Sequence, residues 1–110
     1  MSPMKAQVME DRNRSRRLVQ VANRGRSNSI NIGANESLEH AKKKFEICWE
    51  LVQQEKEFYT ECKFESGGRA DIFILDDCKV IEIVCSETDE SLNNKANKYP
   101  PDAEIEVVRV

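Results

Sequence analysis

The chain has few of the residues and patterns that mark several large classes of protein. Its 110 residues include one histidine, and its four cysteines form no CxxC pair, so the spacing of a zinc finger is absent. No apolar run approaches the roughly 20 residues that a membrane helix needs, and the N-terminus lacks the apolar stretch of a signal peptide. A chain of this length accommodates one domain. We therefore expect one soluble, cytoplasmic domain with no membrane partner.

The four cysteines, at positions 48, 62, 78 and 85, are expected to be reduced and mostly buried. A disulfide between cysteines of neighbouring strands stays open as an alternative. Cytosolic proteins of hyperthermophiles are known to form such bonds in spite of a reducing compartment.

Charge divides the chain into two unequal parts. Residues 1 to 27 carry seven basic and two acidic side chains, a net charge of +5, and residues 28 to 110 carry ten basic and eighteen acidic ones, a net charge of -8. The first 35 residues also hold only one short apolar run, Leu18 to Ala22, and cannot bury much of a core alone. We expect residues 1 to 35 to form a flexible basic arm, in which this run is a short helix or an edge strand.

Residues 36 to 110 carry the pattern of a single α/β (α+β) domain. Asn35 and Ser37 are candidate N-caps of a helix that continues to Gln54. Its predicted core face holds the apolar residues that recur at three- and four-residue steps, namely Leu38, Ala41, Phe45, Cys48, Trp49 and Val52.

Three stretches with β character follow, at residues 58 to 65, 69 to 75 and 80 to 85, each separated from the next by turn residues. Asp89 can cap a second helix, which Pro100 and Pro101 end, and residues 104 to 110 alternate like a half-exposed strand. The order α-β-β-β-α-β predicts a mixed four-stranded sheet flanked by two helices, with the fourth strand parallel to the third.

Asp71 and Glu82 interrupt two apolar strands that otherwise exclude charge. An unpaired buried carboxylate is costly, so each needs a cation, a proton or a close donor. A four-residue loop at 76 to 79 would pair Leu75 with Val80. Asp71 and Glu82 would then be diagonal neighbours on one face, roughly 7 Å apart at the backbone, and could share one Mg²⁺ or Mn²⁺ ion.

A purely structural role for these two acids stays open. Asp71 could pair with Arg69, its neighbour two residues back on the same face, and Glu82 with a lysine of the last helix. Two acids on adjacent central strands, with Glu39 early in the helix that packs over the sheet, favour the metal site. His40, beside Glu39, is interpreted as a surface residue.

The element order together with Glu39, Asp71 and Glu82 resembles the PD-(D/E)xK, or restriction-endonuclease-like, superfamily of nucleases, which includes archaeal Holliday-junction resolvases. The resemblance covers about 75 of the 110 residues and suggests a small archaeal or viral type. It implies that the three acids hold Mg²⁺ and that a lysine two residues after the glutamate activates the attacking water. Here Val84 stands at that position, and Lys95 on the following helix is the first substitute, with Lys98 next.

The basic arm suggests a nucleic-acid partner. Its six arginines, interleaved with serine, asparagine and glycine, suit a segment that follows a phosphate backbone; they are Arg12, Arg14, Arg16, Arg17, Arg24 and Arg26. Such binding would depend steeply on salt and little on base sequence. The alternatives are a solubilising tail or an arm that docks on the acidic domain of a neighbouring subunit.

Three functions therefore stay open at the level of the sequence. The first is a metal-dependent nuclease, acting on DNA rather than RNA, with Glu39, Asp71, Glu82 and Lys95 as its catalytic residues. The second is a catalytically inactive nucleic-acid-binding or assembly module on the same fold. The third is an oligomerisation domain, in which the last strand pairs with its copy to give a homodimer.

Overall fold

The structure, a computed structural model, describes residues 3 to 110 and confirms an α+β fold with three helices and a mixed four-stranded sheet. The helices are α1 (Pro3–Arg16), α2 (Leu38–Gln53) and α3 (Asp89–Ala96), and the strands are β1 (Phe58–Lys63), β2 (Arg69–Ile74), β3 (Lys79–Val84) and β4 (Glu104–Arg109). No helix within residues 3 to 110 is both long and apolar enough to cross a membrane.

The strands lie in the order β1-β2-β3-β4. The first two pairs are antiparallel hairpins, and β4 pairs with β3 in parallel after the crossover through α3. The predicted order of elements from α2 onward and the direction of the last strand are confirmed.

The core lies on both faces of the sheet. Cys48 and Leu51 of α2 pack on one face, against Phe58 and the isoleucines of β2 and β3. On the other face the buried Phe64 ring meets Phe73 edge-on at 4.8 Å between centroids. These layers bury β2 and β3 on both sides, as their continuous apolar sequences predict.

The N-terminal segment differs from the expected flexible arm. Residues 3 to 16 form α1, and Ser15 donates a hydrogen bond of 2.7 Å to the Leu75 carbonyl. Val19 is fully buried in the core and forms an antiparallel bridge with Phe64. The domain boundary expected at residue 36 is therefore wrong, because one valine anchors the preceding segment in the main core.

The short apolar run of this segment takes both of the forms considered for it. Gln20 N–H donates to the Lys63 carbonyl at 2.9 Å, as in an added edge strand, and a 3₁₀ turn, Val21–Asn23, follows. Asn28 N–H donates to the Phe58 carbonyl at 2.8 Å. The segment thus covers both ends of the outer edge of β1.

The cap of α2 is as predicted, but its buried face is not. The Ser37 side chain accepts a hydrogen bond from His40 N–H. Phe45 and Trp49, expected in the core, are each 57% exposed, whereas Lys44 is fully buried. Lys44 forms ion pairs with Glu36 and Glu61, and these pairs hold its face of the helix toward the sheet. The spacing of apolar residues cannot reveal such ion pairs.

The β2–β3 hairpin is shifted by two residues from the predicted register, in which Val80 pairs with Leu75. Phe73 pairs with Val80 and Ile74 with Lys79, and Cys78 in the loop adopts a positive φ of 49°. Continuing the β2–β3 register sets Asp71 opposite Glu82, which brings the two acids closer than the diagonal arrangement would.

All four cysteines are free. Cys48 and Cys62 are buried, and burial raises the pKa of each thiol to about 12. Cys78 is half-buried and Cys85 is exposed. The expectation of mostly buried cysteines thus holds for two of the four, and the structure contains no disulfide among residues 3 to 110.

Gly68 lies where the β1–β2 loop meets the end of α3. A Cβ atom there would be 2.8 Å from the Lys98 carbonyl oxygen, so the backbone would have to shift. We expect Gly68→Ala to lower the free energy of unfolding by about 1–3 kcal/mol in urea denaturation. Gly25→Ala is the matched control, because nothing lies within 4 Å of its added Cβ. Equal stability of the two variants would contradict this packing.

Candidate functional site

The two strand acids lie where β2 and β3 separate. The pairing of these strands ends at Ile72 and Ile81, and beyond it the Asp71 Oδ2 atom accepts a hydrogen bond of 2.8 Å from Ile83 N–H. Ala70 and Ile72 belong to the core clusters on opposite faces, so β2 changes face at Asp71. The carboxylate therefore reaches into the gap between the strands.

Glu82 is the more deeply buried of the pair, with 3% of its surface exposed. The Tyr99 hydroxyl donates a hydrogen bond to it, and Lys95 Nζ lies 4.0 Å from its Oε2 atom. Burial and the charge of Asp71 raise the pKa of Glu82 to about 7, and the contacts with Tyr99 and Lys95 offset only part of that rise. Its surroundings thus favour the neutral form of this carboxyl.

His40 links α2 to this pair. Its Nδ1 atom contacts the Glu36 carboxylate, and its Nε2 atom lies 3.2 Å from Asp71 Oδ2. Burial lowers the pKa of His40, but the two carboxylates outweigh that effect and raise it above its ordinary value. The imidazole is therefore biased toward its charged form, with a proton on each nitrogen. The interpretation of His40 as a surface residue is wrong.

Lys44 occupies the next turn of the same helix face. Its Nζ atom lies 2.8 Å from Glu36 Oε1 and 2.9 Å from Glu61 Oε1, and it donates to the Asn31 carbonyl at 2.9 Å. Burial lowers the pKa of Lys44, but the two glutamates raise it on balance. Burial likewise opposes ionisation of Glu36, yet the hydrogen bonds it accepts keep its pKa below the ordinary value.

Lys95, the expected substitute for the family lysine, lies beside the acidic pair. Its Nζ atom forms a 2.9 Å ion pair with Glu87, and its side chain is 44% exposed. Burial lowers the pKa of Lys95, but Glu87 and Glu82 raise it on balance. Lys98 contributes to the same region mainly through its backbone carbonyl, which accepts from Ser66.

A cleft of about 690 Å³ opens beside these residues, and Asp71, His40, Arg69 and Lys95 contribute to its lining. A smaller cavity of about 260 Å³ includes Glu82 in its lining. Asp71 and Lys95 line both cavities, which places them at the junction between the buried pair and the open surface.

Glu39 is not part of this site, contrary to expectation. It is exposed on α2 and lies outside the cleft, and Glu36 is the acid that reaches His40. His40 and Lys44 lie one turn apart on the same face of α2, and Glu36, four residues before His40 and just ahead of the helix, contacts both, whereas Glu39 is exposed. This polar series was the signal in the sequence that could have identified the residues.

Three of the six arm arginines bind the chain itself. Arg12 forms two hydrogen bonds of 3.0 Å with Asp76, and Arg16 contacts Glu57 and Tyr59. Arg24 donates to a backbone carbonyl of its own segment at 2.9 Å. These three side chains thus hold the segment in place, and the expectation that all six arginines contact nucleic acid stays a prediction.

The other three arginines point to solvent. Arg14 is 68% exposed and pairs with Asp11 on its own helix at 3.3 Å, and Arg17 and Arg26 are also exposed. These three side chains form the part of the basic segment that is accessible to a polyanion.

The side chains of residues 3 to 110 do not form a complete metal site by themselves. No group of three or more His, Cys, Asp or Glu side chains in residues 3 to 110 is arranged to hold a metal ion. Asp71 and Glu82 offer two carboxylates, which is the number that Mg²⁺ often takes from a protein when waters and substrate phosphates complete its shell. The donor set therefore suits a cation shared with a substrate.

The chain gives no match to any model of a protein family, to any curated protein or to any solved structure with which it was compared. The resemblance to the nuclease superfamily therefore rests on the order of elements and on Asp71 and Glu82.

Proposed function

We propose that the chain is a metal-dependent, nuclease-like hydrolase of nucleic-acid phosphodiesters, with Asp71 and Glu82 as the ligands of Mg²⁺ or Mn²⁺. The observation that best supports this function is that Glu82 is buried next to Asp71 and that its pKa is raised to about 7. Burial and the charge of Asp71 raise this pKa, which means that Tyr99 and Lys95 do not fully compensate the negative charge of the two carboxylates. A divalent cation between the carboxylates would do so, and strongly perturbed acids beside a cleft favour a functional site.

Each neighbouring group has a part in this proposal. A bound cation would polarise the phosphate and lower the pKa of a bound water. Lys95, half-exposed at the cleft and 4.0 Å from Glu82, would orient that water and offset charge on the phosphate. His40 fixes the Asp71 carboxylate through Nε2. Arg69, 62% exposed at the cleft, would pair with a flanking phosphate.

Isothermal titration of Mg²⁺ and Mn²⁺ into the protein tests the site directly. We expect binding to weaken at least about tenfold in Asp71→Asn and in Glu82→Gln, because each removes one ligand charge. Glu39→Gln is the matched control and should bind as the wild type does, since Glu39 lies outside the cleft. No heat in the wild type, or equal binding in Asp71→Asn, would overturn the proposal.

Cleavage assays on duplex, branched and single-stranded DNA and RNA test the reaction itself. Cutting should require the metal and disappear in Asp71→Asn. Lys95→Met should lose cutting while it keeps metal affinity, because the lysine acts on the water and phosphate. Equal loss of both properties in Lys95→Met would contradict this role.

A catalytically inactive nucleic-acid-binding module is the second candidate. It is favoured by Val84, which is 1% exposed at the position of the family lysine. This candidate predicts salt-sensitive binding that survives a chelator and Asp71→Asn but is lost when Arg14, Arg17 and Arg26 are replaced together by alanine. Substitution is preferable to deletion of the segment, because Val19 belongs to the core.

A further inference from the structure

The outer face of α2 carries an exposed apolar stripe that the nuclease proposal does not use. Leu38 is 65% exposed, Phe45 and Trp49 are each 57% exposed, and Val52 is 47% exposed. Ala41, half-buried, completes the row. Contiguous apolar surface of this kind on a small protein marks an interaction site more often than chance exposure does.

The spacing of the stripe is symmetric about its centre. Leu38 and Val52 lie seven residues to either side of Phe45, and Ala41 and Trp49 lie four residues to either side. A second α2 laid antiparallel would therefore set Leu38 against Val52 and Phe45 against its own copy. Ala41, the smallest side chain of the row, would meet Trp49, the largest.

The charges along the border of the stripe are also complementary to a second copy. Lys42, Glu46 and Glu50 follow one another at four-residue steps and are all exposed. In the antiparallel arrangement, Lys42 of one copy lies between Glu46 and Glu50 of the other, and the twofold axis repeats the contact. A parallel arrangement would instead place this border of the two helices on opposite sides of the interface, so these contacts would not form.

We propose that two copies of the chain associate through antiparallel packing of α2 about a twofold axis at Phe45. Such an interface is isologous, since the same surface serves both partners. The two exposed rings contribute about 100 Å² each, so the stripe is smaller than the roughly 800 Å² per partner of a standard stable interface. The dimer is therefore reversible and dissociates on dilution, and β4 takes no part in it.

Sedimentation equilibrium over a range of concentrations tests the association. The wild type should convert from monomer to dimer, and the emission of Trp49, the one tryptophan of the sequence, should shift to shorter wavelength in parallel. Phe45→Glu should remain monomeric with unchanged circular dichroism, because the side chain is exposed in the monomer. A wild type that stays monomeric up to about 1 mM would overturn the proposal.

A charge exchange tests the antiparallel register. Lys42→Glu alone, and Glu46→Lys with Glu50→Lys in a second variant, should each dimerise at least about tenfold more weakly than the wild type. An equimolar mixture of the two variants should recover association, because every border contact then joins opposite charges. Failure of the mixture to recover would overturn this register.

Ile105→Glu on β4 is the control for the other exposed apolar surface. It should leave the dimer unchanged, because Ile105 lies on the edge strand, away from the stripe. Loss of the dimer in this variant, with Phe45→Glu unaffected, would move the interface to β4 and overturn the proposal.

Discussion

Replacing Lys44 by methionine is expected to lower the free energy of unfolding by about 3–5 kcal/mol. The lysine is fully buried and neutralises two carboxylates, Glu36 and Glu61, of which Glu36 has only 6% of its side chain exposed. Methionine fills a similar volume but removes the charge that pairs with both acids, and leaves the buried Glu36 with His40 as its remaining cationic partner. Urea denaturation at neutral pH measures the loss.

Two further variants separate this ion pair from general effects of removing a lysine. Lys43→Met is the surface control, because Lys43 is partly exposed and pairs with Glu46 on its own helix, so it should change stability by under about 1 kcal/mol. Adding Glu36→Gln to Lys44→Met should restore part of the lost stability, since it removes one of the two carboxylates that have lost the lysine. Equal losses in Lys43→Met and Lys44→Met would contradict the buried pair.

Glu82→Gln is expected to make the protein more stable than the wild type at pH 8 and to bring no such gain at pH 5. The pKa of Glu82 in the folded protein is about 7, above its ordinary value of 4.5, because burial and Asp71 disfavour the charged form. The stability that this raised pKa contributes is fully present below pH 4.5 and is lost as the pH rises through 7. Glutamine cannot ionise and does not undergo that loss.

The difference between the two proteins should therefore grow between pH 5 and pH 8, to at most about 3 kcal/mol. Thermal and urea unfolding at both pH values measure it, and Glu39→Gln, at an exposed position, should show no such trend. A difference that stays constant with pH would contradict the ionisation of a buried Glu82. If the pair binds Mg²⁺, the cation should stabilise the wild type at pH 8 and leave Glu82→Gln almost unaffected.

The parts of the fold that the sequence predicts are those encoded by near neighbours. Ser37 caps α2 through an amide three residues away, and the apolar runs around Asp71 and Glu82 identify two buried strands whose acids must be close. The β2–β3 register was wrong by two residues, because the loop spans residues 75 to 78 and places Cys78 at a positive φ without glycine. Nothing in the local pattern indicates that conformation.

The other errors have their origin in contacts between distant residues. The face of α2 that carries Lys44 lies toward the sheet because the lysine pairs there with Glu61, seventeen residues later in the chain. Arg12 holds α1 in place through Asp76, sixty-four residues away. A charged residue on an amphipathic helix looks solvated until its partner is known, so periodicity alone assigned Trp49 to the core and Lys44 to the surface.

The way in which the N-terminal segment covers β1 bears on how the sheet can grow. Sheets polymerise when each molecule presents two open edges, one to receive a strand and one to offer it. Here the N-terminal segment bonds to both ends of the outer edge of β1, so within residues 3 to 110 β4 is the more open of the two edges of the sheet. A sheet that pairs with its copy through one open edge has no such edge left, so the sheet itself stops growing at the pair.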